Sequence, residues 1–313
     1  MKKLSTLSRN SQLLKSNYVS RLKNDVREKW FFYVLLIPLA IALIGVYYIP
    51  ILRNIQLSFF SKSLLEPVPT FIALQNYIRA FQDDLFFLAV QNTLVWTILG
   101  VVFQFVLGLG AALIANRSFV GQRYFRGAML VPFITPTVVT AIVWRWMYNP
   151  QFGVINKMLT DIGLPALNWL SSESLALLSV IFVNTWKGFP FFFITLLAGL
   201  QAIPTDLYEA AKVDGAGTWG TFRYVTIPQL RPMINISVVL GTVWTFNYLG
   251  LIWALTQGGP SNATEILPLM VYREAFVGYS FGYAAAVAMI VFAFNLVFVL
   301  SYVQVLMGEE GEI

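Results

Sequence analysis

The chain has 313 residues, 58% hydrophobic and only 12% charged, with a net charge of +6 and neither Cys nor His. A soluble domain carries about a quarter charged residues, so this composition, arranged in apolar runs of roughly 20 residues, describes an integral membrane protein. Disulfides, zinc sites with the usual ligands and imidazole catalysis are excluded, and the basic excess is concentrated in the N-terminal tail and two short loops, the pattern of membrane topology and not of nucleic-acid binding.

In lipid the backbone must satisfy its own hydrogen bonds, and continuous apolar runs without alternation select helices over a barrel. Residues 1–29 hold eight Lys and Arg against Asp25 and Glu28, and read as a basic cytoplasmic tail near anionic lipid. The apolar run that follows is too long for a cleaved leader. The transmembrane domain is expected over 30–307, with a short acidic tail at 308–313 carrying Glu309, Glu310 and Glu312.

The first span is predicted at about Trp30–Leu52, with Trp30 and Tyr33 at one interface and Tyr47 and Tyr48 at the other. Residues 53–85 carry both charge signs and read as an external loop. The second span covers about Phe86–Ala115, with Asn92 and Thr93 near its outer end and Gly100, Gly108 and Gly110 available for close helix packing. A loop with Arg117, Arg123 and Arg126 and no acid follows. The third span, about Tyr124–Tyr148, contains Pro132 and Pro136 and should kink or begin irregularly. Trp144, Arg145, Trp146 and Tyr148 close it as an aromatic girdle. The fourth, about Leu175–Ala202, holds Lys187 and Pro190. After a polar stretch at 203–231, the fifth runs from about Met233 to Thr256, an external turn covers Gln257–Ser261, and the sixth runs from about Tyr283 to Met307. Counting Lys and Arg gives fourteen in the N-terminal tail and the loops 116–126 and 203–231, against five in the other loops, which puts both termini and the 203–231 stretch in the cytoplasm.

The chemistry is defined by what is missing. There is no Gly-Lys pair, so no phosphate-cradling loop. Every Asp and Glu falls in a tail or loop, whereas ion-coupled carriers usually hold a carboxylate within the membrane. Energy for transport must then come from another chain; an ATP-independent channel or ion-coupled carrier is the competing reading. The stretch from Ile203 has the parts of a contact element. Asp206 can cap a helix with Glu209 three residues on, Ala210 and Ala211 leave a smooth face, and Gly215 can take the left-handed conformation that stops the helix near Asp214. Trp219 and Phe222 share a face of the next short run. An amphipathic loop lying on the membrane would use the same residues.

Glu209-Ala210-Ala211, Asp214-Gly215-Ala216 and Ile227-Pro228 with Leu230-Arg231-Pro232 closely resemble the EAA motif of ABC-importer permeases. The ordered set formed with Asn92-Thr93, Phe125-Arg126-Gly127, Trp144-Arg145-Trp146, Leu255-Thr256-Gln257-Gly258-Gly259-Pro260 and Tyr272-Arg273-Glu274-Ala275-Phe276 looks like the carbohydrate-uptake family of maltose-type (type I) importers, in a compact form without a large external insertion. The resemblance covers roughly 30–307. It implies an all-α permease of six transmembrane helices in a bacterial or archaeal cell membrane. It also implies a second homologous permease, two ATPase subunits that carry ATP and Mg, an external solute-binding protein, and no cofactor on this chain. The 206–214 helix would couple to the ATPase through Asp206, Glu209, Ala210, Ala211, Asp214 and Gly215. Asn184 and Lys187 on the fourth span, and Trp244, Asn247 and Tyr248 on the fifth, offer the mix of aromatic and hydrogen-bonding groups that sugars use. The same polar groups serve equally as helix–helix hydrogen bonds, with Asn247 and Lys187 expected to face the bundle interior.

Overall fold

The computed structural model describes residues 30–32, 34–64 and 68–310. The basic tail, Tyr33 and residues 311–313 lie outside that description, as do the side chains of Glu309 and Glu310. The chain divides into two units, up to Gln56 and from Leu57 onward. The first consists, among its described residues, of helix α1 (Trp30–Ser58) up to Gln56, with one π-type turn at Ile44–Tyr48. The helix runs six residues beyond the predicted end of the span, because Arg53 and Asn54 carry the polar end out of the apolar run without breaking it.

The second unit is built around two unbroken helices, α3 (Asp84–Ala115) and α7 (Glu173–Ala202), which pack along each other. Asp83 caps α3, its Oδ1 accepting from Leu85 N at 2.9 Å, so the acidic pair at 83–84 marks a helix start. Gly108 and Gly100 face α7, where an added Cβ at Gly108 would come within 2.5 Å of Phe192. Gly110 meets nothing within 4 Å and has no packing role of the expected kind. Pro190 sits inside α7 without interrupting it.

The third and fifth spans are bent pairs. Helices α4 (Gln122–Ile134) and α5 (Thr137–Met147) meet at 97°, a break far beyond a kink. Thr135 precedes Pro136 and is pushed into extended backbone, so the first helix must stop there. Trp144 and Tyr148, predicted as part of a girdle, are buried one turn apart, with Trp144 against Phe182 and Trp186 and Tyr148 against Trp169. Of the expected belt aromatics, Trp146 is exposed. Helix α6 (Val154–Asp161) follows. Its Asn156 is buried and hydrogen-bonds Leu167 and Trp169 to shape the next loop.

Helix α8 (Thr205–Val213) leads into α9 (Thr218–Phe246), and α10 (Leu249–Leu255) continues at 46°. The fifth span therefore starts about fifteen residues earlier than predicted. Pro228 and Pro232 lie inside α9; a π-type turn at Phe222–Thr226 displaces the backbone just ahead of Pro228, where its ring would otherwise meet the preceding turn. After α11 (Leu267–Phe276), α12 (Phe281–Glu310) is the last span. Among the described residues four helices, α1, α3, α7 and α12, are long and apolar enough to cross a membrane, and counting each bent pair as one span gives six.

The 53–85 loop is more ordered than its mixed charges suggested. Two-residue strands β1 (Phe60–Ser61) and β2 (Thr70–Phe71) pair antiparallel, and α2 (Gln75–Ala80) packs on the start of α12. Asn76 donates to Ser58 O and Phe60 O, and Arg79 stacks 4.0 Å over the Tyr283 ring. These partners are some 200 residues distant in sequence or are backbone carbonyls, and neither leaves a local pattern.

Candidate solute cavity and coupling helix

A cavity of about 290 Å³ lies where α3, α4, α7 and α9 converge, beside both helix breaks. Asn184, Lys187, Trp244 and Tyr248, four of the five residues singled out from the sequence for solute contact, line it together with Gln104, Phe133 and Phe191. Polar side chains from the unbroken helices α3 and α7 donate to carbonyls beside the breaks. Lys187 Nζ donates to Thr135 O at 2.6 Å, placing a cation at the C-terminus of α4. Trp96 Nε1 donates to Thr245 O at 2.8 Å, close to the end of α9. The Tyr248 hydroxyl, 2.6 Å from Thr137 Oγ1, ties one break to the other. Broken helices at membrane depth are tolerated only with such partners. Gln104 is buried and donates to Asn184 O, while Asn184 Nδ2 has no partner among the described residues. Gln104 was missed in the sequence, although a lone amide within Val-Phe-Gln-Phe-Val is a visible signal.

Asn247 departs from expectation. It is exposed and outside the cavity, bonded to Val243 O on its own helix and to Asn295 Oδ1 on α12. The end of α9 at Phe246 turns it away from the helical face that Trp244 and Gly241 share. It makes the interhelical hydrogen bond of the alternative reading.

The coupling candidate α8 has no buried residue. Asp206 is not its cap. Ile203 is extended ahead of Pro204, Pro204 is itself the cap residue, and the helix opens at Thr205. Asp206 then sits in the first turn, where its charge complements the helix dipole. The stop matches the sequence reading. Gly215 has φ of +79°, Ala216 N donates to Ala211 O at 2.9 Å and Gly215 N to Lys212 O at 3.1 Å, the paired bonds of a glycine-ended helix. Glu209 and Ala210 are exposed and Ala211 half-exposed, and neither Asp206, Glu209 nor Asp214 has an ion-pair partner among the described residues. Tyr208 is the inward anchor, its hydroxyl 3.3 Å from Thr226 Oγ1. Trp219 and Phe222 stack at 5.5 Å, as their shared face predicted.

At the opposite end of α7 from α8, the turn between α10 and α11 is a buried polar knot. Glu265 is fully buried with Oε2 2.6 Å from Arg273 Nη2, and Arg273 also donates to Asn262 Oδ1 and Gln257 O. Asn92 donates to Glu265 O, and Thr93 Oγ1 accepts from Leu267 N. Gly258, at φ of +90°, has room for no side chain: a Cβ would stand 2.3 Å from Glu265 Oε2. Burial pushes the Glu265 carboxyl up to about 7, with Arg273 pulling it down and Glu274 pushing it up. The Asn92-Thr93 and Gln257-Gly258-Gly259-Pro260 motifs thus belong to one structure.

The profile of the family described as binding-protein-dependent transport system inner membrane component matches residues 104–306. The chain belongs to this family. The permease is 35% identical over 284 residues to a probable ABC transporter permease protein, YurN, of Bacillus subtilis, spanning 90% of this chain and 96% of the relative. It is 32% identical over 290 residues to the trehalose/maltose transport system permease protein MalF of Thermococcus litoralis, spanning 93% and 97%. A bacterial ABC transporter involved in import of the acidic polysaccharide alginate superposes with a TM-score of 0.79 at 26% identity, over 91% of this chain and 98% of that one. The permease is a multi-pass inner-membrane subunit of an ABC importer, and its family depends on a binding protein for transport.

Proposed function

We propose that the permease carries a sugar or sugar-like solute, forming the path with a second homologous permease and taking its energy from two ATPase subunits that bind ATP and Mg²⁺. This chain then performs no catalysis. The end bearing α8 faces the cytoplasm, and an external solute-binding protein delivers the solute at the other end. The observation that carries the coupling role is α8 itself. A nine-residue helix between two spans, stopped by Gly215, presents Glu209 and Ala210 exposed, and Glu209 has no ion-pair partner among the described residues. Such a face is suited to a groove on another subunit, and a two-state switch needs a contact that differs between states.

The carbohydrate class is supported by the relatives' names, trehalose/maltose, sulfoquinovosyl glycerol and alginate, and by the cavity's aromatic and amide lining. Asn184, Lys187, Trp244 and Tyr248 are the proposed contacts; Asn247 is not among them. Uptake measured in cells lacking the ATPase tests the scheme. It should cease, and solute uptake driven by this chain without ATP would overturn it. A sugar panel titrated against the cognate binding protein identifies the solute class.

A further inference from the structure

A second cavity, of about 860 Å³, opens between the C-terminal ends of α3 and α7, helix α8 and the start of α9. Its lining is mixed. Leu113, Leu200, Phe222 and Trp219 contribute apolar surface with five neutral polar residues among them, while Arg117 and Lys212 bring two cations with no Asp or Glu in the wall. Neither cation has an ion-pair partner among the described residues. Arg117 is not occupied in capping α3 either, because Arg126 Nη2 and Gln122 Nε2 already hold Ala115 O, at 2.9 and 2.8 Å. Trp219 is 71% exposed beside them, as a residue at a membrane–water interface is.

From this arrangement we infer that the cavity is a binding site for an anionic phospholipid, with the phosphate between Arg117 and Lys212 and the glycerol and upper acyl chains against Leu113, Leu200 and Phe222. A free phosphate would use the cations and leave the apolar wall wet. An acidic protein surface would likewise leave it unfilled. A lipid meets both, and basic pockets between helix ends at the cytoplasmic face are where such headgroups bind. One wall is Lys212 of α8, so bound lipid would brace the coupling helix. The inference rests on the proposed orientation, but its test does not read transport.

The permease, purified with its accompanying subunits into nanodiscs of phosphatidylcholine with phosphatidylglycerol, should retain phosphatidylglycerol in native mass spectrometry. The double substitution R117Q/K212Q should lower that retention about thirtyfold, the effect of removing two cations near a charged headgroup, without changing phosphatidylcholine. R223Q, an exposed cation on the same end outside the cavity, should leave it unchanged. Equal retention in the double variant, or equal loss in R223Q, overturns the site. Binding of inorganic phosphate that the double variant abolishes, with lipid retention intact, assigns the cavity to a free anion instead. Loss of the ATPase subunits with lipid retention intact assigns it to a protein contact.

Discussion

Helix α8 and the 257–273 knot are two polar regions of a largely apolar protein, and they are built in opposite ways. Helix α8 buries no residue, leaves its carboxylates without an ion-pair partner among the described residues, and is shaped by bonds within about twenty residues of sequence. The knot buries a carboxylate completely and is held by side chains from α3, α11 and the turn itself. An element formed by local bonds and left exposed is free to meet another subunit. An element closed by long-range pairs holds its own end of the bundle rigid.

Breaking the knot should therefore cost stability, whereas breaking α8 should cost function alone. The largest effect is expected from Arg273→Met, which leaves Glu265 buried without its counter-charge. It should destabilise the permease by about 3 kcal/mol, read as a lower thermal midpoint in detergent, and Glu265→Gln in the same chain should restore much of the loss. Lys187→Met removes the donor to Thr135 O and should cost about 2 kcal/mol. The same measurement checks it, with solute affinity as the added readout that separates a structural lysine from one that also touches solute. Glu209→Ala and Gly215→Asp should leave the midpoint within a degree or two yet reduce uptake and binding-protein-stimulated ATP hydrolysis about tenfold, equivalent to a coupling loss of about 1.4 kcal/mol. Normal uptake in both would remove α8 from the coupling pathway.

The pH dependence sharpens the same contrast. The folded Glu265 carboxyl lies at about 7, above its ordinary value of 4.5, so the folded state holds the proton more tightly. That contribution to stability is fully present below about pH 4.5 and is lost as pH rises through about 7. Relative to the unaltered protein, Glu265→Gln should gain in midpoint as pH rises from 5 to 8, and a constant difference would contradict the buried carboxylate. The smallest effect is expected from Asn247→Ala. Its bond to Asn295 is worth roughly 0.6 kcal/mol, and uptake and solute affinity should not change.

The two regions also differ in how far they could be read from the sequence. The stop of α8 at Gly215 was legible because one glycine after a run of helix formers decides it. Its start was misplaced by two residues because Pro204 fixes the backbone ahead of Asp206 and takes the cap position. Glu265 read as an ordinary loop acid. Only its distant partners, Asn92 on α3 and Arg273 on α11, turn that loop inward. Trp144 and Tyr148 were misplaced for a related reason. An aromatic cluster at a span end fits either an interface or a core, and the 97° break decides which by aiming α5 inward.

The sequence by itself determined that the chain spans a membrane as helices, roughly where the spans lie apart from the start of the fifth, that no carboxylate is set within an apolar span, and where helix α8 ends. Each of these follows from apolar run length, charge placement or one special backbone residue, all local quantities. The tertiary structure alone decided that two spans are broken, that Lys187, Trp96 and Tyr248 hold the breaks, that four candidate residues surround one cavity while Asn247 does not, and that the turn between α10 and α11 closes over a buried ion pair. Those outcomes depend on which released carbonyl finds which donor across the bundle, and in a low-dielectric interior that pairing is settled only when the helices pack.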